Sequence, residues 1–158
     1  MKHLLRKIYW LFFTGILLFS FSCSTVDLYE KSVTIPGHSW KSSYKPDFTF
    51  TIKDTTSPYQ LFLVLRHNDK YSFNNLYVNL YIKLPGSDTA LKIRRDLTLA
   101  TNDKGWLASG MDDIYEHRIK LGEPERLRAG DYTFALEQIM RENPLHNVLN
   151  VGLRIEKR

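Results

Sequence analysis

The chain has 158 residues, of which 43% are apolar and 25% charged, a composition that fits one globular domain and excludes extended disorder. Its formal charge is +5, and its basic residues are interspersed with acidic ones. No basic stripe interleaved with aromatic residues is visible, so a nucleic-acid partner is not predicted.

The first 22 residues have the layout of an export signal. Lys2, Arg6 and Lys7 form a basic start, and residues 8–21 form an almost unbroken apolar run. That run is shorter than the about 20 apolar residues that a membrane span needs. We therefore predict a signal peptide at residues 1–22 that is removed on maturation. Its removal leaves 19 basic and 17 acidic residues, a net charge of +2.

The only cysteine, Cys23, follows this segment directly. The sequence "SFSC" stands where a lipoprotein signal places a small residue before an acylated cysteine, although its serine and phenylalanine at the outer positions depart from the usual box. A secreted protein with an unmodified thiol and an uncleaved anchor helix are the alternatives. A lone thiol outside the cytoplasm would need a partner. We predict that Cys23 carries a diacylglycerol group and begins the mature chain.

The mature chain is expected to have two parts. Residues 23–45 are polar and contain Pro36 and Gly37, which predicts an acylated start and a tether with one strand near residues 28–33. Residues 46–158 are expected to form the β domain.

Short segments of alternating hydrophobicity follow, separated by turn residues. "DFTFTIK" alternates apolar side chains with threonine, which predicts a strand with one buried face. "YQLFLVLRH" is apolar on both faces and fits a central strand. "LYVNLYIKL" and "ALKIRRDLTLA" predict a hairpin with Leu91 and Ile93 facing inward. "DYTFALEQIM" and "VLNVGLRIEKR" supply two more strands.

About eight short strands with a turn every 8–12 residues or so predict an all-β fold, an antiparallel β-sandwich that resembles a jelly roll. Segments of helical period are absent between them, which argues against a parallel α/β fold. The domain is long enough to bury a two-sheet core without disulfides or a metal.

Residues that could perform chemistry are scattered. No nucleophile elbow or phosphate-binding glycine loop is present. Four histidines lie in polar or turn contexts without zinc-ligand spacing, which predicts surface histidines: His38, His67, His117 and His146. We therefore predict no enzyme activity, no metal site and no cofactor.

One acidic segment, "GMDDIYEH", can be interpreted either as a functional site or as a solvated turn. Asp112, Asp113 and Glu116 could hold a cation through oxygen ligands or supply an acid and a base. Adjacent strand residues point to opposite faces, so both aspartates cannot aim inward without a loop. A solvated turn is the favoured reading.

Aromatic residues suggest a binding surface. Tyr77 and Tyr81 lie opposite the leucines of their strand, and with Trp106 they could form a surface that docks a protein or stacks against a sugar. The alternative, which the sequence leaves open, is that both faces of this strand are buried.

Several segments together resemble the gliding motility-associated lipoprotein GldH family. They cover nearly the whole mature chain in the same order: the Cys23 box, "YEKSVTIPGHSW", "DTTSPYQLFLVLRHNDKYSFNNLYVNL", "GWLASGMDDIYE" and "AGDYTFALEQIMRENPLHNVLNVGLRIEK". The resemblance is most specific at residues 66–76, 105–110 and 151–156.

The resemblance implies an envelope lipoprotein associated with the gliding machinery and with the type IX secretion system that shares its components. Only Cys23 is carried over, as the lipidation site. The residues after it lack a tight acidic cluster, so we expect an outer-membrane anchor with the domain facing the periplasm. The expected role is non-catalytic protein–protein interaction, with a glycan-binding module as the alternative.

Overall fold

The computed structural model describes residues 29–158, so the predicted signal peptide and Cys23 lie outside the described residues. Within that range the chain forms fourteen strands and one 3-10 turn at Pro36–His38. The strands are β1 Tyr29–Thr34, β2 Ser39–Trp40, β3 Asp47–Ile52, β4 Pro58–Asn68, β5 Asn75–Lys83, β6 Ala90–Thr98, β7 Ala100–Thr101, β8 Gly105–Trp106, β9 Ser109–Met111, β10 Ile114–Lys120, β11 Glu125–Arg126, β12 Gly130–Gln138, β13 Leu145–His146 and β14 Val148–Lys157.

Two antiparallel sheets make up the fold. The large sheet has the order β1-β14-β4-β10-β9, with β11 also paired to β4, and the small sheet has the order β3-β12-β5-β6. Two short pairs, β13-β2 and β7-β8, lie outside both sheets. Eight strands have six or more residues, so the prediction of an all-β sandwich of about eight strands is confirmed.

The core lies between the sheets, because side chains of alternate residues meet there from both sides. The small sheet contributes Phe48, Leu80 and Leu136, and the large sheet contributes Leu63 and Leu153, all at most 2% exposed. The predicted hairpin is present, with β5 and β6 paired from Asn75↔Thr98 to Lys83↔Ala90.

The folded unit begins earlier than residue 46. β1 lies where the sequence predicts a strand near residues 28–33, and it pairs along its whole length with β14. Trp40 is fully buried. β1 is an edge strand whose residues are mostly exposed and polar. Backbone pairing with β14 holds it in place, together with the packing of Tyr29 and Val33 against the core.

Close approach of β1 to β14 depends on Gly152. A Cβ atom at this position would lie 2.7 Å from the carbonyl oxygen of Lys31 and 2.7 Å from Cβ of Ser32. Glycine is therefore the residue that lets the first strand close this side of the sandwich.

In the part of the chain from residue 29 onward, no helix has the length and apolar character to cross a membrane.

Candidate functional site

The outer face of the small sheet carries Tyr77 and Tyr81, as the alternation of β5 predicts. Both rings are half-buried. Cations lie over them: Arg94 is 5.3 Å from the centroid of Tyr77, and Lys45 and Lys92 are 4.9 and 5.6 Å from the centroid of Tyr81. We call these five residues the tyrosine face.

A carboxylate fixes the centre of this surface. Glu137 accepts hydrogen bonds from Asn79 (2.8 Å) and from the hydroxyl of Tyr81 (2.6 Å), and pairs with Lys45 at 2.8 Å. These donors, Asn79 first, lower the pKa of Glu137 to about 2. The hydroxyl of Tyr81 and the ammonium of Lys45 are therefore held in place at neutral pH.

Trp106 does not join the tyrosine face. Its ring is partly buried and packs against His67 (centroids 4.5 Å apart), Tyr115 (5.6 Å), His117 (6.1 Å) and Tyr71 (6.3 Å). We call these five residues the histidine cluster. Two of the three predicted aromatic residues thus lie on one sheet face, and the third lies in the histidine cluster.

Two of the four histidines are buried, so the prediction of surface histidines is wrong for His67 and His117, both 0% exposed. Strands β4 and β10 bring them together, with their Nε2 atoms 2.8 Å apart. Nδ1 of His67 lies 2.7 Å from the carbonyl oxygen of Asn68, to which it donates, so Nε2 of His67 accepts from His117. The sequence could not signal this pair, because the two histidines are fifty residues apart and meet only across strands.

The pair is held neutral by its surroundings. Burial, and then the charge that His67 would carry, lowers the pKa of His117 to about 4. Burial also lowers the pKa of His67. Both rings are therefore uncharged at neutral pH, and each aromatic neighbour packs against an uncharged imidazole.

The acidic segment forms a surface turn. Asp112 and Asp113 occupy the two-residue turn between β9 and β10, with Asp112 in the left-handed region (φ 55°). Glu116 pairs instead with Arg118 (3.1 Å) and lies 3.8 Å from Arg66. Between residues 29 and 158 no group of three or more histidine, cysteine or acidic residues is placed to hold a metal ion.

A cleft of about 230 Å³ opens beside β6, between the small sheet and the segment that joins β10 to β12. Its apolar lining comes from both sides: Leu61, Leu80, Ile82, Leu84, Leu91, Ile93, Leu121, Leu127, Tyr132 and Phe134. We call it the β6 cleft. Leu91 is 54% exposed at its edge, although the alternation of β6 predicts an inward side chain. Leu91 does line the cleft as the alternation predicts, but no side chain among residues 29–158 covers it closely enough to bury it.

The fold defines a class: an all-β sandwich, with polar and aromatic side chains on the outer face of its small sheet. The family model of the GldH lipoproteins matches residues 27–155. A gliding motility lipoprotein GldH homolog of Christiangramia forsetii is 30% identical, with 93% of each chain covered. The gliding motility lipoprotein GldH of Flavobacterium johnsoniae is 28% identical, covering 92% of this chain and 96% of that protein. The chain belongs to the GldH lipoprotein family, whose members are lipid-anchored in the cell envelope.

Among solved structures, the chain is similar to a carbohydrate-binding module, CBM28, described as specific for non-crystalline cellulose. The two share 10% identity with a TM-score of 0.41, over 82% of this chain and 72% of that one.

Proposed function

We propose that this protein is a non-catalytic component of the gliding motility apparatus and of the type IX secretion system, and that it acts by binding other envelope proteins. Acyl chains on Cys23 hold it at the outer membrane, with the sandwich facing the periplasm. Family membership supports the gliding role, since the relatives are named gliding motility lipoproteins.

The tyrosine face is the observation that carries the interaction role. Tyrosine and arginine are enriched where proteins dock, because they combine a large contact area with polar groups. Tyr77, Tyr81 and Arg94 lie together on one exposed sheet face, and Glu137 fixes one of the two rings. A preordered surface loses little side-chain entropy on binding.

Glycan binding has less support. A sugar stacks on the face of an aromatic ring, but cations lie over the rings of both Tyr77 and Tyr81. Trp106, which would be the third platform, packs in the histidine cluster.

Recovery of partners from solubilised envelopes tests the interaction role. The tagged wild type should recover a gliding or secretion component, and Tyr77→Ser combined with Tyr81→Ser should reduce that recovery by about tenfold. Tyr44→Ser removes an exposed tyrosine elsewhere (39% exposed) and should leave recovery unchanged. Failure of the wild type to recover any such component, or equal recovery by the double variant, would count against the proposal.

The anchor has its own test. Cys23→Ala should leave the fold intact and move the protein from the membrane to the soluble fraction, because a lipoprotein carries more than one acyl chain and loses them all. Fractionation followed by immunoblotting measures this. If the variant stays with the membrane and keeps no other anchor, the lipidation assignment is wrong.

A further inference from the structure

The small sheet has an uncovered edge at β6. β6 is the outermost strand, so every second residue directs its backbone N–H and C=O away from β5. Its pairing with β5 is continuous over nine residues and contains no bulge that would turn the edge away. Among residues 29–158 no strand pairs with this edge. The backbone is therefore in the right conformation to accept one more strand.

Side chains next to this edge are also incompletely packed. Leu97 is 5% exposed at one end of β6, but Leu91 is 54% exposed near the other, and neighbouring Leu84 is 39% exposed. Leu91 and Ile93 line the β6 cleft. Apolar side chains of an added strand would reach this cleft, because alternate residues of a strand point to the same side.

One buried polar atom in the cleft lacks a partner. Gln60 is 1% exposed, and its Nε2 donates to the carbonyl oxygens of Gly122 (2.7 Å) and Leu61 (3.2 Å). Its Oε1 is buried and has no hydrogen-bond partner within the described part of the chain. A buried acceptor without a donor is unfavourable, so the wall of the cleft at Gln60 is incompletely satisfied by the described chain.

The positive charge of β6 determines which kind of strand can pair with it. β6 carries Lys92, Arg94 and Arg95 against one acid, Asp96, which accepts from Asn75. None of the three cations takes part in a salt bridge with another described residue. Charged edge strands normally repel unwanted pairing. A second copy would bring the same net positive strand, so the charges disfavour self-association and favour an acidic segment.

We propose that β6 binds an extended segment of a partner protein by strand addition. In this segment, apolar side chains alternate with acidic ones: the apolar ones enter the β6 cleft, and the acidic ones lie beside Lys92 and Arg94. The proposal rests on the proposed interaction role and names the chemistry of the partner. Backbone hydrogen bonds would supply affinity, and the cleft with its cations would supply specificity.

A peptide tests the proposal directly. The probe is a fluorescent peptide as long as β6 in which glutamate and leucine alternate, titrated against the lipidated protein in nanodiscs with anisotropy as the readout. We expect saturable binding that weakens about tenfold or more in Leu91→Asp and in Arg94→Glu. Thr49→Asp places a charge on the opposite edge strand, β3, and should leave binding unchanged.

Two peptide controls separate strand addition from simple charge attraction. N-methylation of alternate residues removes the donors that pair with β6, and replacement of glutamate by lysine reverses the charge. Both should abolish binding. Absence of saturable binding of the glutamate–leucine peptide up to about 1 mM, or equal binding by the N-methylated peptide, would overturn the proposal.

Three further outcomes also decide it. If gel filtration with light scattering finds a dimer that Leu91→Asp dissociates, the occupant of β6 is a second copy and the proposal is wrong. If envelope partners are recovered equally by Leu91→Asp and wild type, strand addition is wrong while the interaction role stands. If the wild type recovers no partner, the interaction role itself fails.

Discussion

The two edges of the small sheet have the same strand geometry but differ in how they are covered. At β3 the inward residues Phe48, Phe50 and Ile52 are 0, 5 and 1% exposed. Tyr29 of β1 reaches across to Phe50, with ring centroids 5.7 Å apart. At β6 the inward Leu91 is 54% exposed. Alternation thus determines which side chains face inward, whereas burial depends on what the opposite sheet places against them.

Truncation of a β3 core residue should have the largest effect on stability. Phe48→Ala removes a fully buried ring, so we expect a loss of about 3–5 kcal/mol in the free energy of unfolding. Urea denaturation followed by tryptophan fluorescence measures it. A loss below about 1 kcal/mol would mean that the β3 edge is no better packed than the β6 edge.

Acid should loosen the β6 side of the sandwich before the β3 side. His117 lies on β10, which pairs with β9, the edge strand of the large sheet at the end opposite β1. Its pKa is lowered to about 4. In the unfolded chain this histidine binds a proton near pH 6.5. The stability that comes from keeping His117 neutral in the folded chain is therefore complete above pH 6.5. It is lost as the pH falls towards 4, by about 3 kcal/mol in the free energy of unfolding. Glu137 becomes protonated and loses its ion pair at a lower pH, between about 4.5 and 2.

Denaturation between pH 7 and 4 in wild type and in His117→Gln checks this order. The variant should be less stable at pH 7 and should show a flatter dependence on pH. An unchanged slope would show that the histidine pair is not the group that titrates. Hydrogen exchange should locate the first opening at β8 and β10 rather than at β3.

A bulkier residue at Gly152 should open the β3 side. Gly152→Ala places a methyl group against the backbone of Lys31, so β1 must move, and Tyr29 with it. We expect a loss of about 1–3 kcal/mol together with faster amide exchange in β1. Exchange in β6 should not change, which serves as the internal control. If β1 exchanges as slowly as in wild type, its close approach does not depend on this glycine.

The smallest effect is expected at Leu91. Because its side chain is already 54% exposed, Leu91→Ala should change the free energy of unfolding by less than about 0.5 kcal/mol. The same denaturation series measures it. A loss comparable to that of Phe48→Ala would show that the β6 edge is as tightly packed as β3 and would remove the basis for a docking cleft.

Much of the fold could be predicted because apolar and polar residues alternate along the sequence of several long strands. "DFTFTIK" predicts a strand with its apolar side chains on one buried face, as observed in β3, and "DYTFALEQIM" predicts the strand observed as β12. The short strands β7, β8 and β9 have only two or three residues each, too few to show an alternation. They form because their backbones pair with neighbours.

The sites were harder to predict because they depend on contacts across strands. Tyr77 and Tyr81 lie four residues apart on one strand, and the sequence placed them on a common face. Trp106 lies on a different strand, and its aromatic character alone does not predict which surface it joins. The contact between His67 and His117 cannot be predicted from the sequence either, because only the register of β4 with β10 brings them together.

Photocrosslinking in cells tests the account most directly. A photoreactive amino acid would replace Leu91 at the β6 edge or Thr49 at the β3 edge, and crosslinked peptides would be sequenced by mass spectrometry. The account predicts crosslinks from position 91 to an envelope protein, within a segment that alternates acidic and apolar residues, and none from position 49. Crosslinks only to lipid or to a second copy, or equal crosslinking from both positions, would contradict it.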